Sequence, residues 1–297
     1  MEREPHVPVL LKDAIHFLNV RPGGTYADAT LGFAGHSTAI ARLLGPEGTL
    51  IAFDRDPEAM ILARERIQAL REELGPEMPA VVLHDTEFDE AERLIQPGSL
   101  DGLLADFGVS SMQFEQAHRG FSFQAEGPLD MRMNPRQGVT AAQVVNQFGE
   151  KQLADLIYEF GEERRSRRIA RAIVRARPIS TTAQLARVVS AAAPAMKSER
   201  IHPATRTFQA LRIYVNQELG QIEALMHAAP ALLKPAGRLV VISFHSLEDR
   251  IAKDALREGA RQGIYELLTR KPVTAGPEET DRNPRARSAK LRAAERK

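Results

Sequence analysis

The chain has 297 residues, 43% of them hydrophobic, and no cysteine; it can bury one large core or two smaller ones but form no disulfide, thiolate nucleophile or cysteine-bound zinc. No apolar run approaches the ~20 residues that span a bilayer, and Met1-Glu2-Arg3-Glu4-Pro5 is charged without an apolar stretch, so a cytoplasmic protein with no secretory signal and no membrane partner is expected. The net charge of +1 hides two basic regions, 151–212 with 13 Lys/Arg against 5 Asp/Glu and 282–297 with 7 against 1, which suit a polyanion partner as well as a solvated helix face.

In chain order, Thr25 to Ala29 reads as a strand that runs into the small-residue turn Thr30-Leu31-Gly32-Phe33-Ala34-Gly35-His36 and then a helix. The second strand, Thr49 to Phe53, ends on Asp54, 19 residues beyond Gly35, close to the ~20 at which a carboxylate at a strand tip accepts hydrogen bonds from a ribose diol. In Asp54-Arg55-Asp56-Pro57, Asp56 is suited to N-cap the next helix and Pro57 to its first position, which leaves Asp54 for a ligand. Further strands are expected over Ala80 to His84, Gly102 to Asp106 and Arg238 to Phe244, giving a parallel sheet covered on both faces. The gap from Asp106 to Arg238 is too long for one crossover helix, so something is inserted after the fourth strand.

Within the insertion, Thr140 is placed to cap a short helix, Lys151 to Arg177 carries a helical apolar pattern, and Thr182 to Ala192 gives another helix, with Pro178 and Pro194 as stops. Ala204 to Leu233 reads as one long helical pattern that rejoins the sheet. The expected division is a discontinuous sheet domain, 1–110 plus 213–297, and an inserted helical domain for substrate recognition, 111–212. In the tail, Tyr265 to Val273 and Ala289 to Ala294 are candidates for late edge strands, the second amphipathic enough for a helix instead. The eight histidines show no paired metal-ligand spacing, so no metal is expected.

Asp28, the loop from Gly32 to His36, Asp54 and the strand ending at Asp106 form the series expected of an S-adenosylmethionine site. That cofactor has no phosphates; it needs close backbone approach, a ribose carboxylate, an apolar wall for adenine, and acceptors for its amines. Phe88 is a candidate for the wall and equally an ordinary core residue. A nicotinamide dehydrogenase is disfavoured, because its glycine turn is represented here by Gly32, Ala34 and Ser37. A DNA amine methyltransferase is disfavoured by Asp106-Phe107-Gly108-Val109 in place of an Asp/Ser/Asn-Pro-Pro-aromatic motif. A non-catalytic RNA-binding protein stays open on the basic regions alone.

Longer motifs run through the whole chain: His6-x-Pro8-Val9-Leu10-Leu11, Asp106-Phe107-Gly108-Val109-Ser110-Ser111-x-Gln113, Arg119-Gly120-Phe121-Ser122-Phe123, Gly161-Glu162-Glu163-Arg164, His202-Pro203-Ala204-Thr205-Arg206-Thr207-Phe208, Ile242-Ser243-Phe244-His245-Ser246-Leu247-Glu248-Asp249-Arg250 and Asn283-Pro284-Arg285-Ala286-Arg287-Ser288. In type and order they resemble the bacterial small-subunit rRNA (cytosine-N4)-methyltransferase family, RsmH or MraW. The resemblance implies a class I S-adenosylmethionine-dependent methyltransferase sheet, Rossmann-like, with an inserted helical domain. It also implies methylation of N4 of a cytidine in the decoding region of 16S rRNA, with the assembled small ribosomal subunit as partner and no DNA; a homodimer stays open.

By motif match, Ala34, Gly35 and His36 fall on the family's cofactor loop, Asp54 on its ribose acid, Phe88 on its adenine-side aromatic, and Asp106 and Gln113 on further cofactor contacts. The usual Gly-Gly-His is Ala34-Gly35-His36 here, so residue 34 is expected in an ordinary region of φ. The exocyclic amine of cytosine is a weak nucleophile that needs an acceptor for its hydrogens. Asp106 at a strand's carboxyl end is one candidate, with His245 and Ser243 beside it; alternatively Asp106 only holds the cofactor and His245 only caps a helix. Arg206 and Phe208 are candidates for lining the target pocket, Phe208 being also a plain core residue. Arg164, Arg165, Arg167, Arg168, Arg171 and Arg175 cannot all share one helix face; some are expected to reach phosphate and others to pair with Glu162 and Glu163.

Overall fold

The computed structural model describes residues 8–194 and 201–297. His6 of the first motif, Met1 to Pro5, and the segment 195–200 lie outside the described residues. The chain divides into two compact units, one formed by the residues up to Gly108 together with Leu219–Lys297, the other by Val109–Glu218. No helix among the described residues is long and apolar enough to cross a membrane.

The first unit is built on seven strands: β1 (Thr25–Asp28), β2 (Thr49–Asp54), β3 (Ala80–Asp85), β4 (Leu100–Asp106), β5 (Leu233–Ser243), β6 (Tyr265–Leu267) and β7 (Lys290–Arg296). Their order is β3-β2-β1-β4-β5-β7-β6. The first five run parallel, and β7 pairs antiparallel with both β5 and β6. This is the class I, Rossmann-like sheet implied by the resemblance, with the helical insertion between β4 and β5.

Alternate residues of the central strands feed two separate cores, the period-2 signature of a sheet buried on both faces. Leu103, Ala105, Leu239 and Val241 join Leu225, Ala229 and Leu256 on one side. Leu104, Val240 and Ile242 join Leu18, Ile40 and Leu44 on the other. Both expected tail strands exist, but Ala289 to Ala294 is not an edge. Lys290–Arg296 lies inside the sheet, with the short β6 outside it, and Leu291, Ala293 and Ala294 are fully buried. The alternation of small apolar residues with Arg292 and Glu295 mimics a helix stripe; the buried face decides for a strand.

The second unit is helical. Thr140 caps the helix Ala141–Gln147 through a capping box with Gln143, and Thr181 caps Thr182–Ala192 in the same way with Gln184. Two long patterns are each broken in two. Lys151 to Arg177 becomes Glu150–Gly161 and Ser166–Ala176, with Glu162 left-handed at φ 50° between them. Ala204 to Leu233 becomes Thr205–Asn216 and Glu218–Leu232, with Gln217 left-handed at φ 50°. A left-handed residue turns the chain without interrupting the apolar pattern on either side, so periodicity alone runs through the break. The core of this unit collects Leu153, Leu156, Ile157, Ile169, Ile173, Leu185, Phe208 and Leu211. Arg177 serves structure here, donating to the carbonyls of Val145 and Phe148 at the end of the helix Ala141–Gln147.

Candidate functional site

In a parallel sheet the strand order reverses between β1 and β4, and the carboxyl ends of the strands around that point are where ligands sit. β1, β2 and β4 end on Asp28, Asp54 and Asp106, so three carboxylates from neighbouring strands converge on one end of the sheet. Each is held differently.

Asp28 is fully buried and tied into the fold: Oδ1 accepts from the Thr30 amide at 3.0 Å and Oδ2 from the Ser37 hydroxyl at 2.6 Å. It ties the loop to the start of the helix Gly35–Leu44. Asp54 accepts from the Gly32 amide through Oδ2 and from the Asp56 amide through Oδ1, both at 2.8 Å. Each of its oxygens keeps further lone-pair capacity, the requirement for a ribose diol. Burial pushes the Asp54 carboxyl up to about 6, against the opposing effect of the Asp56 and Gly32 amides. Asp56 N-caps the helix Pro57–Leu74 by accepting from the Glu58 amide, the role the sequence assigned it.

Asp106 is the unsatisfied member. Its amide donates to the Thr30 hydroxyl at 2.6 Å, its Oδ2 lies 3.8 Å from His36 Nδ1, and its buried Oδ1 has no hydrogen-bond partner among the described residues. Burial, then repulsion from Asp28 and Glu248, raises its proton affinity well above that of an ordinary carboxyl. Nearly every buried polar atom in a folded protein is paired; an unpaired carboxylate oxygen facing a ligand end of the sheet fits an amine or cation.

The loop beside these acids is packed against the segment that precedes it. A Cβ on Gly35 would come within 2.3 Å of Pro8 Cγ, so glycine is required there by close approach. His36 is buried, with Nε2 3.1 Å from the Val9 carbonyl; a carbonyl only accepts, so that nitrogen carries a proton, while Nδ1 is the ring nitrogen near Asp106. Residue 34 corrects the sequence expectation. Ala34 stands at φ 57°, ψ 27° in the left-handed region, fully buried, with its amide donating to Leu31 O at 2.7 Å and its carbonyl accepting from Thr38 N at 2.8 Å. The turn that launches the helix imposes this conformation whatever the residue, and alanine adopts it at a cost of about 1–2 kcal/mol.

Phe88 is partly buried, its ring 6.2 Å from that of Phe107, on the fringe of the core beneath β4. It packs on the core and is only partly buried. Ser243 ends β5 buried, its hydroxyl 3.4 Å from the Lys290 carbonyl to which it donates, a bond between strands. His245 N-caps the helix Ser246–Arg261: Nδ1 accepts from the Glu248 amide at 3.4 Å, and Nε2 lies 3.0 Å from Glu248 Oε1 without hydrogen-bond alignment. His245 thus caps the helix, as one of its two readings has it.

Glu248 was seen in the sequence only as part of a motif. It is fully buried, its Oε2 accepts from the amides of Phe244 and His245, and its charge acts on Asp106. The signal that would have found it is the spacing His245-x-x-Glu248, a capping box with histidine in the place of serine or threonine.

In the second unit, Gln113 is buried and its Oε1 accepts from the Ser110 amide at 2.9 Å in the capping box of Ser111–Glu115; that oxygen is committed to the fold. Arg206 is half-buried, 3.8 Å from Glu163 Oε2. Phe208 is core, edge-on to Phe123 at 4.9 Å. Glu163 is buried and also holds Arg165, at 3.2 Å.

A family model described as the MraW methylase family matches residues 3–297. The curated protein Ribosomal RNA small subunit methyltransferase H of Acidobacterium capsulatum is 86% identical, the match covering 100% of each chain. The protein of the same name from Koribacter versatilis is 62% identical over 100% of this chain and 96% of its own, and that from Cyanothece sp. is 51% identical over 99% and 97%.

Proposed function

The chain belongs to the MraW methylase family, and on that premise we propose that it is an S-adenosylmethionine-dependent methyltransferase of small-subunit rRNA, acting on N4 of a cytidine in the decoding region. The names borne by its relatives support the rRNA class of substrate; the base and atom are the finer part of the proposal. The observation that carries the reading is the row Asp28, Asp54, Asp106 at the carboxyl ends of β1, β2 and β4, one acid fully buried in the fold, one half-buried with lone pairs to spare, one with an unpaired buried oxygen.

The residues present fit the cofactor. Asp54 would hold the ribose hydroxyls, the backbone of Gly32 to His36 would approach closely because Gly35 has no side chain, and Phe88 would wall the adenine. S-adenosylmethionine, when bound, supplies a methyl group already activated by a sulfonium. The protein therefore has mainly to align the amine and receive its proton. Asp106 Oδ1 is placed for that: it accepts an N4 hydrogen, which favours the pyramidal amine, and takes the proton released as the nitrogen–carbon bond forms. Its raised proton affinity suits a base, and a cationic ligand beside it favours the ionised form it needs. Val109–Glu218 is the proposed substrate-recognition unit, and the target base leaves its stack to reach Asp106, which is easiest in single-stranded or loop RNA.

The test is transfer of labelled methyl from S-adenosylmethionine to unmodified small ribosomal subunits, naked 16S rRNA and DNA, followed by nuclease digestion. The expected product is N4-methylcytidine on the subunit. A different methylated nucleoside would overturn the base assignment, and transfer to DNA alone would overturn the substrate class.

A further inference from the structure

The helix Ser166–Ala176 carries Arg167, Arg168, Arg171 and Arg175, all exposed. At ~100° per residue the four fall within an arc of about 100°. The opposite face buries Ile169, Ala170 and Ile173 in the core of the second unit. Arg165 and Arg177, which flank the helix off this arc, are engaged within the fold, Arg165 by Glu163 and the Pro194 carbonyl and Arg177 by the Val145 and Phe148 carbonyls. On the arc only Arg171 meets a carboxylate, an exposed contact with Glu150 at 3.2 Å; Arg167, Arg168 and Arg175 have no ion pair among the described residues.

A solvated helix face commonly mixes signs, as the exposed side of Ser246–Arg261 does with Arg250, Asp254, Arg257, Glu258 and Arg261. Here Arg167, Arg171 and Arg175 follow one another at four-residue spacing, an arrangement of like charges that opposes the helix in isolation. The stretch 164–177 holds seven arginines and no lysine. The planar guanidinium fork matches phosphate oxygens in pairs, which lysine cannot do. From Arg167 to Arg175 the stripe runs about 12 Å, enough to follow several phosphates at ~3.4 Å of rise per nucleotide.

We infer that the arginine face of Ser166–Ala176 is a docking surface for the phosphate backbone of the substrate RNA. The inference rests on the proposed rRNA substrate and adds where the RNA lies against the second unit. The contacts read charge and spacing rather than base identity, so they set affinity and salt dependence and leave the choice of nucleotide to the acid-lined end of the sheet.

The experiment compares the full-length protein with the triple variant R167Q/R171Q/R175Q, using R64Q/R71Q/R257Q on the helices Pro57–Leu74 and Ser246–Arg261 as a charge-matched control, since those arginines are also exposed. Methyl transfer to small subunits and equilibrium binding to naked 16S rRNA are both measured across a salt series. For the triple variant, KM and the RNA dissociation constant are expected to rise at least tenfold near 0.1 M salt. The slope of log affinity against log salt should flatten by roughly 2 to 3, with kcat, cofactor affinity and melting temperature unchanged; the control should match wild type. Unchanged RNA affinity and slope would overturn the inference. Loss on assembled subunits with unchanged binding to naked rRNA would overturn it in favour of a protein contact. If the wild type transfers no methyl to either RNA substrate yet the binding difference persists, the docking surface stands and the proposed reaction falls.

Discussion

The acid row at the carboxyl ends of β1, β2 and β4 and the arginine face of Ser166–Ala176 solve opposite problems with charge. The acids are few, buried or half-buried, and individually positioned: each oxygen of Asp28 and Asp54 accepts from a named backbone or hydroxyl donor, whereas the buried Asp106 Oδ1 has no partner among the described residues. The arginines are exposed, and three of the four are unpaired among the described residues. In the first region an atom's place decides what it does, so one substitution should change a rate by orders of magnitude. In the second the summed charge matters, and effects should be graded and erased by salt. A single exposed arginine that proved as costly as a buried acid would break this contrast.

The largest effect is expected at Asp106. Asp106→Asn keeps the size of the side chain and removes its capacity to take a proton, so kcat should fall by ~10²–10⁴ while RNA affinity at the arginine face stays unchanged. Single-turnover methyl transfer with saturating subunits checks this. An Asn variant with normal kcat and weakened cofactor binding would return Asp106 to the purely cofactor-holding role that the sequence left open.

Next comes Gly35, where precision is steric. Gly35→Ala sets a Cβ 2.3 Å from Pro8 Cγ, closer than nonbonded carbons approach, so the loop or the Pro8 segment has to shift. Overpacking of this kind costs about 1–3 kcal/mol, and the shift moves the Gly32 amide relative to Asp54. Thermal unfolding and calorimetric cofactor titration should show both losses. A variant with native stability and affinity would mean that the loop yields freely.

These two positions also mark what the sequence made legible. The sheet was readable because buried parallel strands are short apolar runs ending on chemistry-bearing residues, and the spacing from Gly35 to Asp54 singled out the acid proposed for the ribose. The acid row followed once the strands were placed. What stayed hidden depends on backbone sign and on contacts between distant segments. Glu162 and Gln217 turn left-handed inside unbroken helical patterns, and β7 inserts between β5 and the edge strand β6. The arginines of 164–175 were visible, but their division into Arg165 turned toward Glu163 and the rest sharing one arc needed the helix start at Ser166.

A pH titration sharpens the contrast from the acid side. Asp54 has its carboxyl pushed up to about 6 by burial, above the ordinary ~3.9. In the unliganded protein this stabilises the fold fully below the ordinary value, and the contribution is lost as pH rises through about 6. A ribose diol donates hydrogen bonds and prefers the ionised carboxylate, so cofactor affinity has the opposite sign: it should rise with pH up to about 6, by at most tenfold per unit, and level off above it. Asp54→Asn should flatten that part of the profile. Affinity that rises as pH falls would sink the assignment of Asp54 to the ribose. Over the same range the guanidinium groups do not titrate, so RNA affinity at the arginine face should stay flat.

The smallest effect is expected at Ala34, where three terms oppose one another. Ala34→Gly relieves a left-handed alanine, worth about 1–2 kcal/mol. Against that, glycine gives the unfolded chain more freedom, worth about 0.4–1 kcal/mol, and removes a fully buried methyl, worth about 0.8 kcal/mol. The terms nearly cancel, so the variant should unfold within about 1 kcal/mol of wild type and bind the cofactor alike. Restoring the glycine usual in this family's motif would then change little, because the turn and not the residue sets φ at position 34. Chemical denaturation of Ala34→Gly beside Gly35→Ala makes the comparison direct. Equal losses at the two positions would mean that the loop tolerates no change at all, whereas a loss at Gly35 alone would place the need for glycine in its contact with Pro8.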